Sequence, residues 1–278
     1  MKIQGSISKG ENLMAKLTLN FLSHKLRRAV DVTVVLPSMN FTEMQGEAPS
    51  HRLKAKFPVI YLLHGYGNNH AIWNAYTNVE MFAEERYIAV VMISGENKSY
   101  VNVETGSKAF DMQERYYEFL SEEIPEFVTE YFPISREPSE SYIAGLSMGG
   151  FGAMLHGLRD SRMYRAIGAF SGGGFSRGKA RIPGRDTDRY DIRAQAEKCA
   201  AEDRKIPIYM ACGDLDDGFG NLKETCAAMK DMGFDITWVE GKDYRHEWRF
   251  WNREIEAFMD WMPRNDAWYL GKGNRRNV

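Results

Sequence analysis

The 278-residue sequence predicts an α/β fold with one mostly parallel central sheet and helices on both faces. Strand-like and helix-like segments alternate from residue 57 onward, which is the order that a parallel sheet requires. Residues 57–63 and 87–92 are apolar almost without interruption, as in strands that are buried on both faces. The length is sufficient for one large hydrophobic core.

The chain before residue 57 predicts an antiparallel addition to this sheet. Residues 17–21 and 30–36 alternate in polarity or are β-branched, which favours two strands joined as a hairpin by the polar segment 23–28. Pro37 ends the second strand, and a polar loop follows over residues 38–56.

The remaining segments predict the alternating helices and strands. A helix is indicated over residues 71–85, and the strongest helical periodicity begins at Asp111, where apolar residues recur every three or four positions. The last helix begins at Trp248 and stops at Pro263. Between them we predict strands at 142–146, 166–170, 206–211 and 235–240, and helices at 191–201 and 221–232.

This pattern predicts a flexible extension over residues 1–13, a single α/β domain over 14–263 and a C-terminal tail over 264–278. The formal net charge is −2 with 27% charged residues, so neither nucleic acid nor an anionic membrane is expected as a partner. The expected partner is a small molecule. The sequence leaves open whether the chain forms a homo-oligomer.

Cysteine usage and apolar runs predict the compartment. Cys199, Cys212 and Cys226 lie in segments that look buried and show no Cys-x-x-Cys spacing, so we expect them to be reduced packing residues. The first ten residues lack the apolar core of a secretory signal, and no later apolar run has the length of a membrane span. We therefore expect a cytoplasmic protein without a membrane segment.

The motif GLSMG at residues 145–149 carries the main chemical signal, because it joins a predicted strand to a helix rich in small residues. In serine hydrolases the pattern Gly-x-Ser-x-Gly forms a tight strand-to-helix turn with the serine at its tip. The two glycines remove a collision where the chain passes close to itself. Such a turn exposes the Ser147 hydroxyl and aims the unpaired Met148 amide at a developing oxyanion.

The same pattern occurs again at residues 174–178, so the motif alone is a weak signal. A chain of this length shows it by chance about one time in ten. Ser176 follows three glycines and precedes a segment with Pro183 and no helical periodicity. We interpret Ser176 as a loop residue without a catalytic role.

A serine hydroxyl is a poor nucleophile near neutral pH and needs a general base that a carboxylate orients. In this class of hydrolase the order along the chain is Ser, then Asp or Glu, then His. Two histidines follow Ser147. His156 falls inside the helix that starts at the motif and is expected to pack there. His246 lies in the loop after the last predicted strand, and we predict that it is the base.

The acid has three candidates, Asp214, Asp216 and Asp217, in the loop after the strand at 206–211. Their spacing lacks the alternation and the distal glutamate of an EF-hand, so we discount a metal site. Spacing alone does not choose among the three aspartates.

A second oxyanion donor is expected from the loop that follows the buried strand at 57–63. His64 and Gly65 begin this loop, and the Tyr66 amide is the predicted donor, with Gly65 allowing the backbone to approach a substrate. His64 is predicted to bond to the backbone and hold the loop rather than to act as acid or base.

Five blocks in order resemble the esterase D-like, or putative esterase, group of α/β-hydrolases, and within it the small tributyrin, acetyl and feruloyl esterases. The resemblance spans roughly residues 14–262 and implies the α/β-hydrolase fold. The blocks are residues 61–65, 69–73, 143–152, 212–216 and 246–248.

The resemblance also implies residue roles. The acid of the family lies three residues after the glycine of a Cys-Gly-x-x-Asp block, which is Asp216 here, and its oxyanion donors match Tyr66 and Met148. One departure follows the acid: the family often has Phe-Leu-Tyr, whereas this chain has Asp-Gly-Phe at 217–219. The shape of the acid loop and of the acyl pocket is therefore left open.

Together these features predict a serine carboxylic-ester hydrolase that works through an acyl-enzyme on Ser147 and requires no cofactor. The expected substrate is a small-molecule or carbohydrate-linked ester with a short or aromatic acyl group. The alternatives are a thioesterase similar to S-formylglutathione hydrolase, an acyltransferase, and a hydrolase fold retained only for binding. The residues predicted to line a modest apolar pocket are Trp73, Tyr244, Trp248 and Phe219.

Overall fold

The computed structural model describes residues 15–102, 114–175 and 189–276, so Ser176 of the second motif lies outside the described residues. Within them, eight strands form one sheet in the order β1-β2-β4-β3-β5-β6-β7-β8. The strands are β1 (Ala15–Ser23), β2 (Arg28–Leu36), β3 (Val59–Leu63), β4 (Ala89–Ile93), β5 (Ser141–Leu146), β6 (Ala166–Phe170), β7 (Ile208–Gly213) and β8 (Ile236–Gly241).

Strand directions confirm the predicted sheet. β1 pairs antiparallel with β2, and β2 pairs antiparallel with β4. All the other neighbouring strands are parallel. The sheet is therefore mostly parallel, with the predicted N-terminal hairpin at one edge.

Helices pack on both faces of the sheet because alternate residues of its strands point to opposite sides. In β3, Tyr61 and Leu63 join one apolar cluster, whereas Ile60 and Leu62 join the other. The helices are α1 (Phe41–Met44), α2 (Ile72–Tyr76), α3 (Val79–Glu85), α4 (Tyr116–Glu118), α5 (Ile124–Tyr131), α6 (Met148–Arg159), α7 (Ile192–Ala201), α8 (Phe219–Asp231) and α9 (Trp248–Trp261). None of these helices combines the length and the apolar character needed to cross a membrane.

Two predicted helices differ in detail. The helix expected over residues 71–85 is two helices, because Thr77 adopts an extended backbone between α2 and α3. Its hydroxyl donates to the Trp73 carbonyl oxygen, and the Val79 amide donates to that hydroxyl at 3.3 Å. The helix expected from Asp111 begins outside the described residues, and a π turn (Phe119–Glu123) joins α4 to α5.

Residues 264–276 return to the domain after α9. Trp268 is buried and its ring packs against those of Phe57 and Tyr87, with centroids 4.8 and 4.9 Å away. Arg276 Nη2 lies 2.6 Å from Oε1 of the fully buried Glu84, and this ion pair ties the segment to α3.

The topology brings the predicted site residues to one edge of the sheet. β3 and β5 are parallel neighbours, with Leu63 paired to Gly145, so the loops that follow them emerge side by side. β7 and β8 are also parallel neighbours, and the loops that follow them carry Asp216 and His246. Ligand sites of open α/β sheets lie at this carboxyl edge.

The close packing between β3, β5 and the start of α6 predicts that a side chain at Gly149 lowers stability. A Cβ atom on Gly149 would lie 2.4 Å from the Leu63 carbonyl oxygen, and both groups belong to rigid backbone. We expect Gly149→Ala to lower the free energy of unfolding by roughly 1–3 kcal/mol, measured by urea unfolding followed by circular dichroism.

The matched control is Gly220→Ala in α8, where a Cβ atom would meet nothing within 4 Å. Its midpoint should stay unchanged or rise slightly, since alanine favours helix. Equal urea midpoints for the two variants would contradict the prediction, because the backbone around Ser147 would then accept the added Cβ atom without loss of stability.

Candidate active site

Ser147 lies at the tip of the turn between β5 and α6. Its backbone has φ 52° and ψ −115°, a conformation that side-chain-bearing residues rarely adopt. A Cβ atom on Gly145 would lie 2.4 Å from the Gly149 carbonyl oxygen, and one on Gly149 would lie equally close to the Leu63 carbonyl oxygen. Neither glycine therefore has room for a side chain. The geometry of the predicted turn is therefore present, and it holds the Ser147 side chain above the sheet.

The structure brings the three predicted catalytic residues into one hydrogen-bonded chain. His246 Nε2 lies 3.0 Å from Ser147 Oγ, and His246 Nδ1 lies 2.7 Å from Asp216 Oδ2. The Trp251 ring meets the imidazole edge to face, with centroids 4.9 Å apart. A neutral imidazole that donates from Nδ1 to Asp216 presents Nε2 as an acceptor for the Ser147 hydroxyl.

Asp216 is held as a buried carboxylate. Its Oδ1 accepts the Gly218 amide at 2.9 Å, while Oδ2 faces His246. Burial alone would raise the pKa of this carboxyl, but the hydrogen bonds from His246 and Gly218 outweigh it and hold the pKa below its ordinary value. A carboxyl whose pKa falls on folding stabilises the fold above its unfolded pKa, and this contribution is lost as the pH falls through the folded value.

The other two aspartates of this loop have different surroundings. Asp214 and Asp217 are exposed, and Asp214 Oδ1 accepts the Asp243 amide at 2.8 Å. Of the three sequence candidates, only Asp216 is buried beside His246. Among the described residues, no group of three or more His, Cys, Asp or Glu side chains is arranged to hold a metal ion.

The loop after β3 lies against the turn at Ser147. A Cβ atom on Gly65 would lie 2.6 Å from Leu146 Cδ1 and 3.4 Å from Ser147 Cβ, so the backbone at Gly65 lies close to the serine. The Tyr66 side chain points into solvent and is 73% exposed. Met148 is the first residue of α6, and its amide has no acceptor within that helix.

His64 and His156, the two other histidines considered from the sequence, are buried and bond to backbone groups. His64 is buried; its Nδ1 donates to the Gly65 carbonyl oxygen at 2.7 Å, and its Nε2 accepts the Gly95 amide at 2.8 Å. Burial lowers the pKa of His64, and it lowers that of His156 to about 4. His156 Nε2 donates to the Tyr100 carbonyl oxygen at 2.9 Å. His64 bonds to the backbone, as the sequence predicted, and His156 is buried in α6, where it was expected to pack.

The four predicted pocket residues divide between the two apolar clusters, and their contact with a substrate stays a prediction. Trp73 is 1% exposed, and its Nε1 donates to the Leu63 carbonyl oxygen at 3.1 Å. Phe219 packs against Trp238 in the apolar cluster on the opposite face of the sheet. Half-buried Trp248 and Tyr244 flank His246 in the chain. Periodicity and spacing do not reveal which side of α8 carries Phe219, so the sequence could not separate these positions.

Sequence reasoning also missed the loop after β4. Asn97 Oδ1 accepts the Gly67 amide at 2.5 Å, directly beyond Tyr66. The available signal was its position, because β4 is the parallel neighbour of β3 and its loop emerges at the same edge. A Gly and an Asn close together are typical of a turn that needs positive φ.

A serine, a histidine and an aspartate in one hydrogen-bonded chain at the carboxyl edge of such a sheet define the α/β-hydrolase class. Within that class, the chain belongs to the putative esterase family, whose sequence model matches residues 23–261.

Individual relatives agree with this assignment. The acetyl esterase of Caldicellulosiruptor saccharolyticus is 30% identical over 274 residues, covering 90% of this chain and 99% of that protein. An endo-1,4-beta-xylanase/feruloyl esterase of Xylanibacter ruminicola is 24% identical over 208 residues, covering 72% of this chain and 26% of that protein. The structure of S-formylglutathione hydrolase from Staphylococcus aureus shares the fold, with a TM-score of 0.75 at 22% identity, covering 90% of this chain and 99% of that one.

Because only Asp216 faces His246, replacing each of the three aspartates by Asn should affect kcat unequally. Asp216→Asn should lower kcat for hydrolysis of p-nitrophenyl acetate by roughly 10³- to 10⁴-fold, because an amide cannot fix the imidazole in the required tautomer. Asp214→Asn and Asp217→Asn are the controls and should change kcat less than about threefold, since neither carboxylate faces His246. A loss at Asp214 or Asp217 as large as that at Asp216 would contradict the assignment.

Proposed function

We propose that this ester hydrolase cleaves short-chain or aromatic acyl esters through an acyl-enzyme intermediate on Ser147. The observation that carries the proposal is the 3.0 Å contact between Ser147 Oγ and His246 Nε2, with Asp216 on the other imidazole nitrogen. These are the groups that a nucleophilic serine needs: a base within hydrogen-bond reach and a carboxylate that orients it.

In the first half-reaction, His246 Nε2 accepts the hydroxyl proton as Ser147 Oγ attacks the acyl carbonyl carbon. The carbonyl electron pair moves onto oxygen, and the Tyr66 and Met148 amides donate to this oxyanion. As the tetrahedral intermediate collapses, the bond to the alcohol oxygen breaks and His246 returns the proton to that oxygen. The alcohol leaves, and the acyl group remains on Ser147.

In the second half-reaction, water replaces the alcohol. His246 accepts a proton from water as its oxygen attacks the acyl carbon, and the same two amides bind the second oxyanion. Collapse releases the carboxylic acid and returns the proton to Ser147 Oγ. The His246 side chain is 44% exposed, which leaves a route for water and for the departing alcohol.

Asp216 stabilises the imidazolium that forms in both half-reactions. The carboxylate is 4% exposed and bonded on both oxygens, so it is already oriented before the charge on His246 develops. Ordered and partly desolvated charges interact more strongly than the same charges in water. No cofactor takes part in this scheme, which uses only side chains and backbone amides.

The proposed substrate is a small-molecule or carbohydrate-linked ester with an acetyl or similarly short acyl group. The similarity to an acetyl esterase over nearly the whole of both chains supports this choice. Aromatic acyl groups of the feruloyl type are the second class, supported by the shorter match to a feruloyl esterase. We also propose a cytoplasmic location, which the three buried free cysteines support.

Replacing the nucleophile tests the mechanism. Ser147→Ala should lower kcat for p-nitrophenyl acetate by about 10⁴-fold or more, because no other group can form the acyl-enzyme. Ser176→Ala is the control from the second copy of the motif and should retain nearly full activity. Mass spectrometry of the quenched enzyme should show an acetyl adduct on Ser147. Equal losses from the two substitutions would contradict the assignment, and absence of turnover in the unmodified protein would favour a binding role.

A substrate series tests the acyl and leaving groups. We expect kcat/KM to be highest for acetyl or propionyl esters and to fall at least about tenfold by octanoyl, because burying a longer chain needs apolar surface that Trp248 and Tyr244 alone do not supply. Acetylated xylan, a feruloyl ester and S-formylglutathione should be compared under the same conditions. A preference for S-formylglutathione over every oxygen ester would replace the ester proposal with thioester hydrolysis.

A further inference from the structure

The loop after β4 bonds to the loop that carries the proposed oxyanion donor. We call residues 95–100 the β4 loop and residues 64–67 the β3 loop. The Gly95 amide donates to His64 Nε2 at 2.8 Å, and the Gly67 amide donates to Asn97 Oδ1 at 2.5 Å. The β3 loop is therefore held at both of its ends, on either side of Tyr66.

Tyr100 makes a third contact with the β3 loop. Its side chain is fully buried, and its hydroxyl donates to the His64 carbonyl oxygen at 2.9 Å. Its own carbonyl oxygen accepts a hydrogen bond from His156 Nε2 in α6. His64, Tyr100 and His156 thus form a buried connection from the β3 loop to the helix that begins directly after Ser147.

The backbone of the β4 loop is unusual. Glu96, Asn97, Ser99 and Tyr100 all have positive φ, between 42° and 58°. Asparagine tolerates this region, but it is uncommon for the other three residues. Several such residues within one short loop persist only where surrounding contacts hold them, and they concentrate at functional sites.

We propose that the β4 loop positions the oxyanion hole, with Asn97 and Tyr100 as the positioning residues. The inference rests on the proposed function, in which the Tyr66 amide binds the oxyanion. Asn97 fixes the peptide that follows Tyr66, and Tyr100 fixes the carbonyl of His64, so the Tyr66 amide keeps one direction relative to Ser147. Neither residue touches the reacting atoms. Their contribution appears when negative charge develops on the substrate oxygen.

Asn97→Gly is the first test, because glycine adopts the positive φ at this position and removes only the side-chain acceptor. We expect kcat for p-nitrophenyl acetate to fall about tenfold with KM unchanged. Inhibition by an aryl trifluoromethyl ketone, whose adduct with serine carries an oxyanion, should weaken by a similar factor. Ser99→Gly is the matched control, since Ser99 has the same backbone conformation and no side-chain hydrogen bond within the described residues.

Tyr100→Phe is the second test and removes one hydroxyl without removing the buried ring. The matched control is Tyr142→Phe, because Tyr142 is also fully buried and its hydroxyl donates to a backbone carbonyl oxygen, that of Pro263, at 3.0 Å. Both variants should lose similar thermal stability. Only Tyr100→Phe should lower kcat, by roughly five- to tenfold, and weaken binding of the trifluoromethyl ketone.

The outcomes separate this inference from the proposed function. If Ser147→Ala abolishes turnover while Asn97→Gly and Tyr100→Phe keep the kcat and the inhibitor affinity of the unmodified enzyme, the positioning role is wrong and the mechanism stands. If Tyr142→Phe lowers kcat as much as Tyr100→Phe does, the effect is one of general stability and the positioning role is again wrong. If Ser147→Ala retains full turnover, the proposed function itself fails.

Discussion

The structure depends on the close approach of three backbone segments at the carboxyl edge of the sheet. The end of β3, the end of β5 and the first turn of α6 meet around Leu63, Gly145 and Gly149, where added Cβ atoms would lie within 2.4 Å of a carbonyl oxygen. This contact forces Ser147 into a positive-φ conformation and directs the chain into α6. It also places the loop after β3 beside the serine, so the proposed nucleophile and one proposed oxyanion donor are positioned by the same packing.

Much of this arrangement was predictable because it follows from short-range rules. The alternation of apolar strands and amphipathic helices fixes a parallel sheet, and parallel strands bring the loops at their carboxyl ends to one edge. The spacing Gly-x-Ser-x-Gly then identifies a turn that only glycine permits. The proposal of His246 as the base follows from the order of the residues that serine hydrolases use, because only one histidine after Ser147 lies in a loop at that edge.

Other features depend on contacts that a single sequence does not reveal. Three aspartates share one loop, and their spacing does not show that Asp216 turns inward while Asp214 and Asp217 remain in solvent. The choice of Asp216 from the sequence came from the family resemblance alone. Trp73 and Phe219 were expected near a substrate, but tertiary packing places them in apolar clusters on opposite faces of the sheet. Asn97 bonds to Gly67 across 30 positions of the chain, and no local pattern predicts such a pairing.

The order of the strands has a consequence for how the protein acquires its activity. Ser147 and His246 are 99 positions apart, and their strands, β5 and β8, are separated in the sheet by β6 and β7. Parallel strands cannot pair until the crossover between them has closed, and contacts of long sequence separation form slowly. A refolding chain is therefore expected to recover helical content before the three proposed catalytic side chains meet. Ester hydrolysis then reports that the sheet has formed from β5 to β8, because the three proposed catalytic side chains follow β5, β7 and β8.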